Sequence, residues 1–274
     1  MIPRSCTRRM TGKDTGPYVK FLGTGGARFV MTRQLRATGG FWIGDGRTAI
    51  HVDPGPGALV RCRNSRPPLK PEQLAAIVLS HRHLDHCSDV SVMIEAMTQA
   101  GTRPRGRVFC PSDCLEPHSV IFPHTLEFLP EPPIRLRVGE VYPIDTIRME
   151  IPLRHRHSVE TYGLIFHLDD LRVAYIADTA FFEDLIPAYR TCDVVIMNVT
   201  LAEPRPEVDH LSLPEAFELV INLEARVVIL THFGMSVLRQ KPWQIARKWS
   251  ETTGRTVIAA DDGRYFALRS LLHR

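Results

Sequence analysis

The feature that most constrains this chain is a run of six residues, His81-Arg82-His83-Leu84-Asp85-His86, which places three imidazoles and one carboxylate in a single loop. Borderline divalent metals prefer these side chains as ligands. The run follows residues 76–80, an apolar segment with the length and β-branching of a buried strand. A strand that ends in such a loop holds a metal on a rigid support. Because there are only twelve histidines in 274 residues, we interpret the cluster as a metal site rather than as a polar surface loop.

The composition is that of a globular protein with a sizeable core, since 44% of the residues are hydrophobic and 23% are charged. A net charge of +4 tolerates anionic substrates without requiring nucleic acid. No apolar run approaches the length of a membrane span, and the start of the chain lacks the apolar segment of a secretory signal. We therefore expect a cytoplasmic protein with a basic, disordered tail over residues 1–16 and a single domain over residues 17–274.

The six cysteines are scattered and show no disulfide framework, so we expect reduced thiols. Cys110 and Cys114, with His118 and His124 nearby, are candidates for a second metal site. The spacing is not that of a zinc knuckle, and no second cysteine pair accompanies it. This second site is therefore the weaker interpretation.

The first sixty residues have the pattern of an antiparallel β layer. Strands are predicted at 18–23, 39–43 and 48–52, with Asp45-Gly46 as a hairpin turn between the last two. A helix from Asp89 to about Ala100 follows, with Asp89 as its N-cap. Two short strands are predicted at 134–138 and 146–151.

Strands and helices alternate in the second half of the chain. Strands are predicted at 163–168, 172–177, 193–198 and 226–231, and helices at 213–223 and 243–252. The helix at 213 has a capping box formed by Ser212 and Glu215. A last strand pair is predicted at 256–260 and 264–268. Two β layers separated by helices indicate an α/β (α+β) fold, an αββα four-layer sandwich.

Further ligands should lie where other strands end. Three places qualify: Asp178 after the strand at 172–177, His232 after the strand at 226–231, and the pair His155 and His157 after residue 153. Taken singly, such an aspartate is usually a turn residue and such a histidine is usually structural. Their order along the chain after the first loop favours a shared site.

These residues resemble the signature of metallo-β-lactamase-superfamily hydrolases, over roughly residues 18–270. The carrying features are the run at 81–86, Asp53-Pro54-Gly55, and the later His157, Asp178 and His232. The resemblance implies one metal held by His81, His83 and His157, a second held by Asp85, His86 and His232, and Asp178 as a bridge between them. His155 is the alternative to His157, and the family's spacing to the following Gly163 favours His157. The resemblance implies two divalent ions, Zn²⁺ first, with Mn²⁺ or Fe²⁺ as alternatives.

His210 directs the choice among branches of the superfamily. The segment Asp209-His210-Leu211-Ser212 resembles the one that precedes a helix in tRNase Z and in PhnP-type cyclic phosphodiesterases. There the histidine lies beside the metals and helps the leaving oxygen depart, as a protonated histidine can near neutral pH. The alternative is a surface histidine or part of the helix cap. β-Lactamases with a cysteine ligand place it about where Asp178 stands, which argues against that activity.

The sequence thus predicts a dinuclear metal-dependent hydrolase, a phosphodiesterase that uses a metal-bridging hydroxide on a small phosphodiester or cyclic phosphate. His210 and Asp85 are the expected catalytic residues, and Arg28, Arg33 and Arg36 could line the approach of an anion or simply be solvated. The expected partner is a small anionic substrate and not a membrane. Nucleic acid stays open, although no tRNA-clamping arm is present, and so does a homodimer. A lactone or thioester hydrolase, or a non-catalytic accessory protein similar to PqqB, is the alternative function.

Overall fold

A computed structural model describes residues 16–273. Two seven-stranded sheets pack face to face, with helices on both outer faces, so the predicted αββα sandwich is confirmed. The predicted tail at 1–16 lies outside the described residues, apart from Gly16. No helix within residues 16–273 is both long and apolar enough to cross a bilayer.

The first sheet begins with the predicted antiparallel layer and continues as a parallel one. Strands β1, β2 and β3 pair antiparallel, and β3, β4, β5 and β6 then pair in parallel. Parallel neighbours need crossovers, and the helices of this half supply them. The bounds are β1 Tyr18–Phe21, β2 Phe41–Gly44, β3 Ala49–Val52, β4 Ala76–Val78, β5 Arg107–Cys110 and β6 Ile134–Arg135.

The second sheet takes most of the other half of the chain. Strands β7 to β10 pair antiparallel with their neighbours, and β10 to β13 pair in parallel. The bounds are β7 Val141–Ile144, β8 Ile147–Glu150, β9 Leu164–Leu168, β10 Leu171–Ile176, β11 Val194–Asn198, β12 Val227–Thr231 and β13 Thr256–Ala259.

The two last strands do not pair with each other, so the predicted final strand pair is wrong. β13 extends the second sheet beside β12, whereas β14 (Tyr265–Ala267) crosses to the first sheet and pairs antiparallel with β1. The short connection between them, residues 260–264, resembled a hairpin loop in the sequence. It instead joins the edges of two stacked sheets.

Ten α-helices cover the sheets in the described region. The helices α2 and α4 pack on the first sheet, and α7 and α9 pack on the second. The bounds are α1 Ala27–Thr32, α2 Ala58–Asn64, α3 Leu84–Cys87, α4 Val90–Thr98, α5 Pro123–Leu126, α6 Leu185–Tyr189, α7 Leu213–Asn222, α8 Met235–Arg239, α9 Pro242–Thr253 and α10 Leu268–Leu272.

The core between the sheets follows from the alternation of side chains along each strand. In β1, Val19 and Phe21 face the second sheet and are fully buried. Phe41 of the first sheet meets Tyr175 of the second edge-to-face, with ring centroids 4.9 Å apart. Burial of one such aromatic side chain contributes about 1.5–3 kcal/mol. The core therefore holds the ends of β4, β10 and β12 in fixed relation.

Cys110 and Cys114 lie in the apolar core under α4. Both are buried free thiols, as are Cys62, Cys87 and Cys192. Within the described residues, the clusters with metal-binding geometry contain neither of these two cysteines nor His118 or His124. His124 instead lies 3.5 Å from the Glu95 carboxylate. The structure therefore gives no support to the second metal site.

Candidate metal centre

The predicted ligands converge at one edge of the sandwich. The run His81–His86 follows β4 and leads into α3, Asp178 follows β10, and His232 follows β12. His157 lies in the long connection between β8 and β9. Because parallel strands end at the same edge of a sheet, residues distant in sequence meet there.

The first group consists of His81, His83 and His157, whose potential ligand atoms lie within 4.8 Å of one another. The Nε2 atom of His157 is 3.1 Å from Nδ1 of His83. The ring of His81 is 4.8 Å from that of His83 and 5.2 Å from that of His157, measured between centroids. This is the set that the family resemblance assigns to one metal.

The second group consists of Asp85, His86 and His232. Nε2 of His86 and Nε2 of His232 are 2.9 Å apart, and Oδ2 of Asp85 lies 3.3 Å from Nε2 of His232. Gly26 permits this approach, since a Cβ atom at that position would stand 2.1 Å from Nδ1 of His232. This is the set assigned to the other metal.

Asp178 lies between the two groups and is almost fully buried. Its Oδ2 atom is 3.7 Å from Nε2 of His81, in the first group, and 3.4 Å from Nε2 of His86, in the second. Its Oδ1 atom accepts a hydrogen bond from the Asn198 amide. The position is that of a carboxylate able to contact two cations at once.

A buried carboxylate, Asp53, orients two of the candidate ligands. Oδ2 of Asp53 lies 2.9 Å from Nδ1 of His86 and accepts the Ser80 hydroxyl at 2.7 Å. Because the Ser80 hydroxyl donates to Asp53, its oxygen is available to accept from Nδ1 of His81, 3.0 Å away. Both rings thus turn Nε2 towards the site, and that nitrogen carries the lone pair that a metal needs when the ring is neutral.

The free donor atoms fit a divalent metal. Nε2 of His81 is buried and has no hydrogen-bond partner. Nδ1 of His157 lies 2.8 Å from the Asp209 carbonyl and can only donate there, which leaves Nε2 as a lone-pair donor facing the site. Imidazole nitrogens and carboxylate oxygens together are the ligands of zinc and related transition metals.

The electrostatics of the site favour a bound cation. Burial would raise the pKa of Asp178, but the histidines around it, His232 first, hold that pKa well below its usual value. Burial would likewise lower the pKa of His86, yet the Asp85 and Asp178 carboxylates outweigh it and raise that pKa well above its usual value. A proton on His86 thus stands where a metal cation would bind, so protons and metal compete for the site.

His210, on the segment between β11 and α7, joins this cluster. Its Nδ1 atom is 3.7 Å from Oδ2 of Asp178, buried and without a hydrogen-bond partner. Its ring lies 5.1 Å from that of His157 and stacks at 6.0 Å on that of His232. The structure thus places His210 among the candidate ligands and not on an exposed surface.

Comparison with known proteins identifies the family. Residues 48–233 match the family described as the beta-lactamase superfamily domain. An uncharacterized protein of Methanocaldococcus jannaschii, MJ1374, is 31% identical over 252 residues, which span 88% of this chain and 91% of that protein. The chain belongs to the metallo-beta-lactamase superfamily.

Several solved structures share the fold over most of this chain. YhfI from Bacillus subtilis superposes with a TM-score of 0.74 at 20% identity, covering 91% of this chain and 99% of its own. Human tRNase Z, short form, superposes with a TM-score of 0.66 at 16% identity, covering 91% of this chain and 98% of its own. For a diphosphatase from the PhnP family, the TM-score is 0.65 at 17% identity, with 91% of this chain and 96% of its own covered. For Zn²⁺-bound PqqB from Methylobacterium extorquens, the TM-score is 0.67 at 14% identity, with 91% of this chain and 99% of its own covered. The chain is a metallo-beta-lactamase-fold hydrolase whose His/Asp cluster can hold divalent metal ions.

His155, the alternative to His157, is not part of the His/Asp cluster. It is buried, and its Nε2 atom is 2.8 Å from the hydroxyl of Tyr189 on α6. Burial lowers the pKa of His155 to about 3, so the ring stays neutral. None of the potential ligand groups among residues 16–273 includes it. The geometry favours His157, as the spacing did.

The structure separates the three arginines suggested as an anion approach. Arg28 and Arg33 are exposed on and beside α1, whose first residue, Ala27, donates its backbone N–H to Asp85. Arg36 instead forms an ion pair with Asp261 at 2.9 Å. Arg36 is therefore engaged in holding the loop before β14 and is not free for a substrate.

Three polar residues around the site escaped the sequence analysis. The Tyr175 hydroxyl donates to Asp53, Asn198 donates to both Tyr175 and Asp178, and the Thr200 hydroxyl lies 2.9 Å from Nδ1 of His232. Asn198 could have been found, because it ends β11 as Asp178 and His232 end their strands. Tyr175 could not have been found, because its place in the sequence is that of an ordinary core residue of a strand.

Proposed function

We propose that the chain is a dinuclear metal-dependent phosphodiesterase that acts on a small phosphodiester or cyclic phosphate. The observation that carries the proposal is His210. Its buried, unpartnered Nδ1 atom lies beside Asp178 and within the ligand cluster, where a hydrolase of phosphate esters needs a group for the leaving oxygen. Two of the structural neighbours support it, since one is a tRNase Z and the other is described as a diphosphatase.

In this proposal, each half of the site holds one ion, Zn²⁺ by preference. His81, His83 and His157 would hold the first, Asp85, His86 and His232 would hold the second, and Asp178 lies between the two groups. When bound, the two ions would neutralise the nonbridging oxygens of the phosphate and lower the pKa of coordinated water. Asp53 and Thr200 orient the ligand rings.

His210 would act as a hydrogen-bond donor to the leaving oxygen. Burial lowers its pKa to about 4, so the ring is neutral at neutral pH in the ligand-free site. This differs from the protonated ring that we expected from the sequence. An anionic phosphate beside the ring would raise that pKa again, so the substrate itself would favour the charged form.

The proposal favours a small substrate over tRNA. Only twenty residues separate His157 from Asp178, and this stretch is occupied by β9 and β10, which form part of the sheet. It therefore leaves no room for an inserted clamping arm. Arg28 and Arg33, exposed on and beside α1, are two of the cations that would attract a compact anion.

The test is a metal-loaded activity screen of the full chain on bis(p-nitrophenyl) phosphate, a cyclic nucleotide, a lactone and a thioester. We expect turnover of the phosphodiesters, and a roughly 100-fold lower kcat for His210→Ala with unchanged metal content. His124→Ala, which removes an exposed histidine paired with Glu95, is the matched control and should keep full activity. Full phosphodiesterase activity in His210→Ala would overturn the role of His210.

The alternative functions make different predictions in the same screen. Zn²⁺-bound PqqB shares the fold as closely as the tRNase Z does, which keeps an accessory role under consideration. Two bound metals with no turnover of any substrate would favour that role. Turnover of the lactone or thioester alone would instead favour a carbonyl-ester hydrolase.

A further inference from the structure

A cavity of about 300 Å³ opens on the outer face of the first sheet, away from the metal centre. It lies where the β2–β3 hairpin meets the segment that follows α2, and no candidate metal ligand lines it. The volume is at the lower end of the range for small-molecule sites. The position, at the start of β3 and not at the end of β4, makes it a separate site.

A lysine with no counter-ion lines this cavity. Lys20 of β1 is only 6% exposed, between Trp42 of β2 and Tyr265 of β14, its cross-strand neighbours. Among residues 16–273 no carboxylate forms an ion pair with Lys20, and none of the residues that line the cavity is acidic. Lysines that are so largely buried are usually paired with an anion. Burial lowers the pKa of Lys20 accordingly.

One further lining residue carries a buried polar atom without a partner. The Oγ atom of Ser65 is buried and makes no hydrogen bond. Buried polar groups in native proteins are nearly always paired. Ser65 and the unpaired Lys20 thus give the cavity two donors for a ligand.

Aromatic rings form part of the cavity wall. Tyr18 stacks on Tyr265 with centroids 5.4 Å apart, and Trp42 lies on the other side of Lys20. Lys70 is exposed at the rim and adds a second positive charge. Arg47 is also at the rim, but Asp45 and Asp169 already neutralise it. A ligand for this wall needs both a negative group and a flat ring.

We propose that this cavity binds a small organic anion whose aromatic or heteroaromatic ring packs against Trp42 and whose acidic group pairs with Lys20. The Ser65 hydroxyl would donate to a remaining oxygen of the ligand. The site is independent of the proposed hydrolase activity, because it shares no residue with the metal centre.

The probe is 1-anilinonaphthalene-8-sulfonate, a fluorescent aromatic anion, titrated into the full-length, metal-loaded protein. We expect saturable binding of one molecule, with energy transfer from tryptophan that Trp42→Phe reduces. The uncharged analogue N-phenyl-1-naphthylamine should bind at least tenfold more weakly. Displacement by benzoate or by adenosine monophosphate would tell a carboxylate site from a phosphate site.

Variants separate this site from other binding surfaces. Lys20→Met should weaken binding about tenfold and leave phosphodiester turnover unchanged, whereas Lys248→Met, an exposed lysine on α9, should change neither. Ser65→Leu, which fills the cavity from its other wall, should abolish binding and decides the question if Lys20→Met is poorly folded. Equal binding by Lys20→Met, Ser65→Leu and Lys248→Met would overturn the proposal.

Discussion

Asp53 orients two of the candidate metal ligands without being one of them. Its carboxylate accepts from the side chains of Ser80 and Tyr175 and lies against the ring of His86. Its backbone has φ of +52°, a left-handed conformation that costs a non-glycine residue of order 1 kcal/mol. The hydrogen bonds fix that conformation, because each requires the carboxylate in one place.

Replacement of Asp53 by asparagine should therefore weaken metal binding. Asp53→Asn keeps the shape but presents an amide donor to groups that already donate, so the rings of His81 and His86 lose their fixed orientation. We expect a 10–100-fold loss of metal affinity, measured by competition with a chromophoric chelator. Asp169→Asn, a partly exposed carboxylate far from the site, is the control. Equal affinities in the two variants would contradict the role of Asp53.

The choice between His155 and His157 can be decided directly. His157→Gln should lose one metal ion, since Nε2 of His157 faces His83. His155→Gln should keep both ions and lose stability instead, because it disturbs the buried bond to Tyr189. Metal content by atomic emission and urea unfolding together measure the two effects. Loss of a metal ion from His155→Gln but not from His157→Gln would show that His155 is the ligand.

His51 makes stability depend on pH. It is fully buried beside Trp42, and burial lowers its pKa to about 4. The unfolded chain takes up a proton at His51 below about pH 6.5, while the folded chain resists until about pH 4. The contribution of His51 is therefore complete above pH 6.5 and is lost as the pH falls towards 4, by about 2 kcal/mol at pH 5.

Urea unfolding of the metal-free protein at pH 7.5 and pH 5 tests this linkage. His51→Gln can keep a donor towards the Gly39 carbonyl but does not titrate. The variant should lose about 2 kcal/mol less than the parent between the two pH values. Parallel losses in both proteins would rule out His51 as a source of the pH dependence.

Among the helices and strands, those with a long and regular apolar pattern could be predicted from the sequence. The hairpin β2–β3, the strands from β9 to β12 and the helices α4, α7 and α9 all lie where their periodicity placed them. The short helices α1 and α2 were missed, because their N-cap residues, Gly26 and Gly57, provide no side-chain cap. β7 was missed because Pro143 lies within it, which only an edge strand tolerates.

The site was easier to predict than the elements around it. Metal ligands are few residue types at strand ends, and the structure brings all seven predicted ligands and His210 together. The residues that orient them could not be predicted from spacing. Tyr175 acquires its role only when β10 packs against Asp53 of the first sheet, and Thr200 only when β11 pairs with β12 and brings it to His232. Sequence patterns identify the candidate metal ligands, whereas the arrangement of the strands determines which side chains orient those ligands.

The capping box of α7 fixes the start of the helix close to His210. Glu215 accepts from the backbone N–H of Ser212, two residues after His210. Ser212→Ala should destabilise the protein by about 1 kcal/mol and reduce turnover by loosening the segment that carries His210. Thermal unfolding and kcat measure the two effects. Glu218→Ala, on the exposed face of the same helix, should change neither; equal losses would show that the effect is general.

On the scale of the whole molecule, the metal centre joins the two halves of the sandwich. His81 to His86 follow a strand of the first sheet, whereas Asp178 and His232 follow strands of the second. Metal bound between them would cross-link the sheets and shield buried carboxylates from one another. Stability should therefore depend on metal more than it would for a site within one sheet.

Removal of metal by a chelator should lower the thermal midpoint by several degrees. A ligand at 1,000 times its Kd stabilises the folded state by about 4 kcal/mol. Hydrogen exchange should accelerate at the ends of β4, β10 and β12 and stay slow in β2 and β3. An unchanged midpoint in protein shown to have lost its metal would contradict this coupling.

The crossing of β14 to the edge of β1 has a consequence for how the protein is made. During translation, residues 18–21 are synthesised long before their partner at 265–267. One edge of that strand is therefore open until β14 has been made, and open edges invite aggregation. Completion of the first sheet must wait for the synthesis of β14, and a chaperone that shields the early strand would act in that interval.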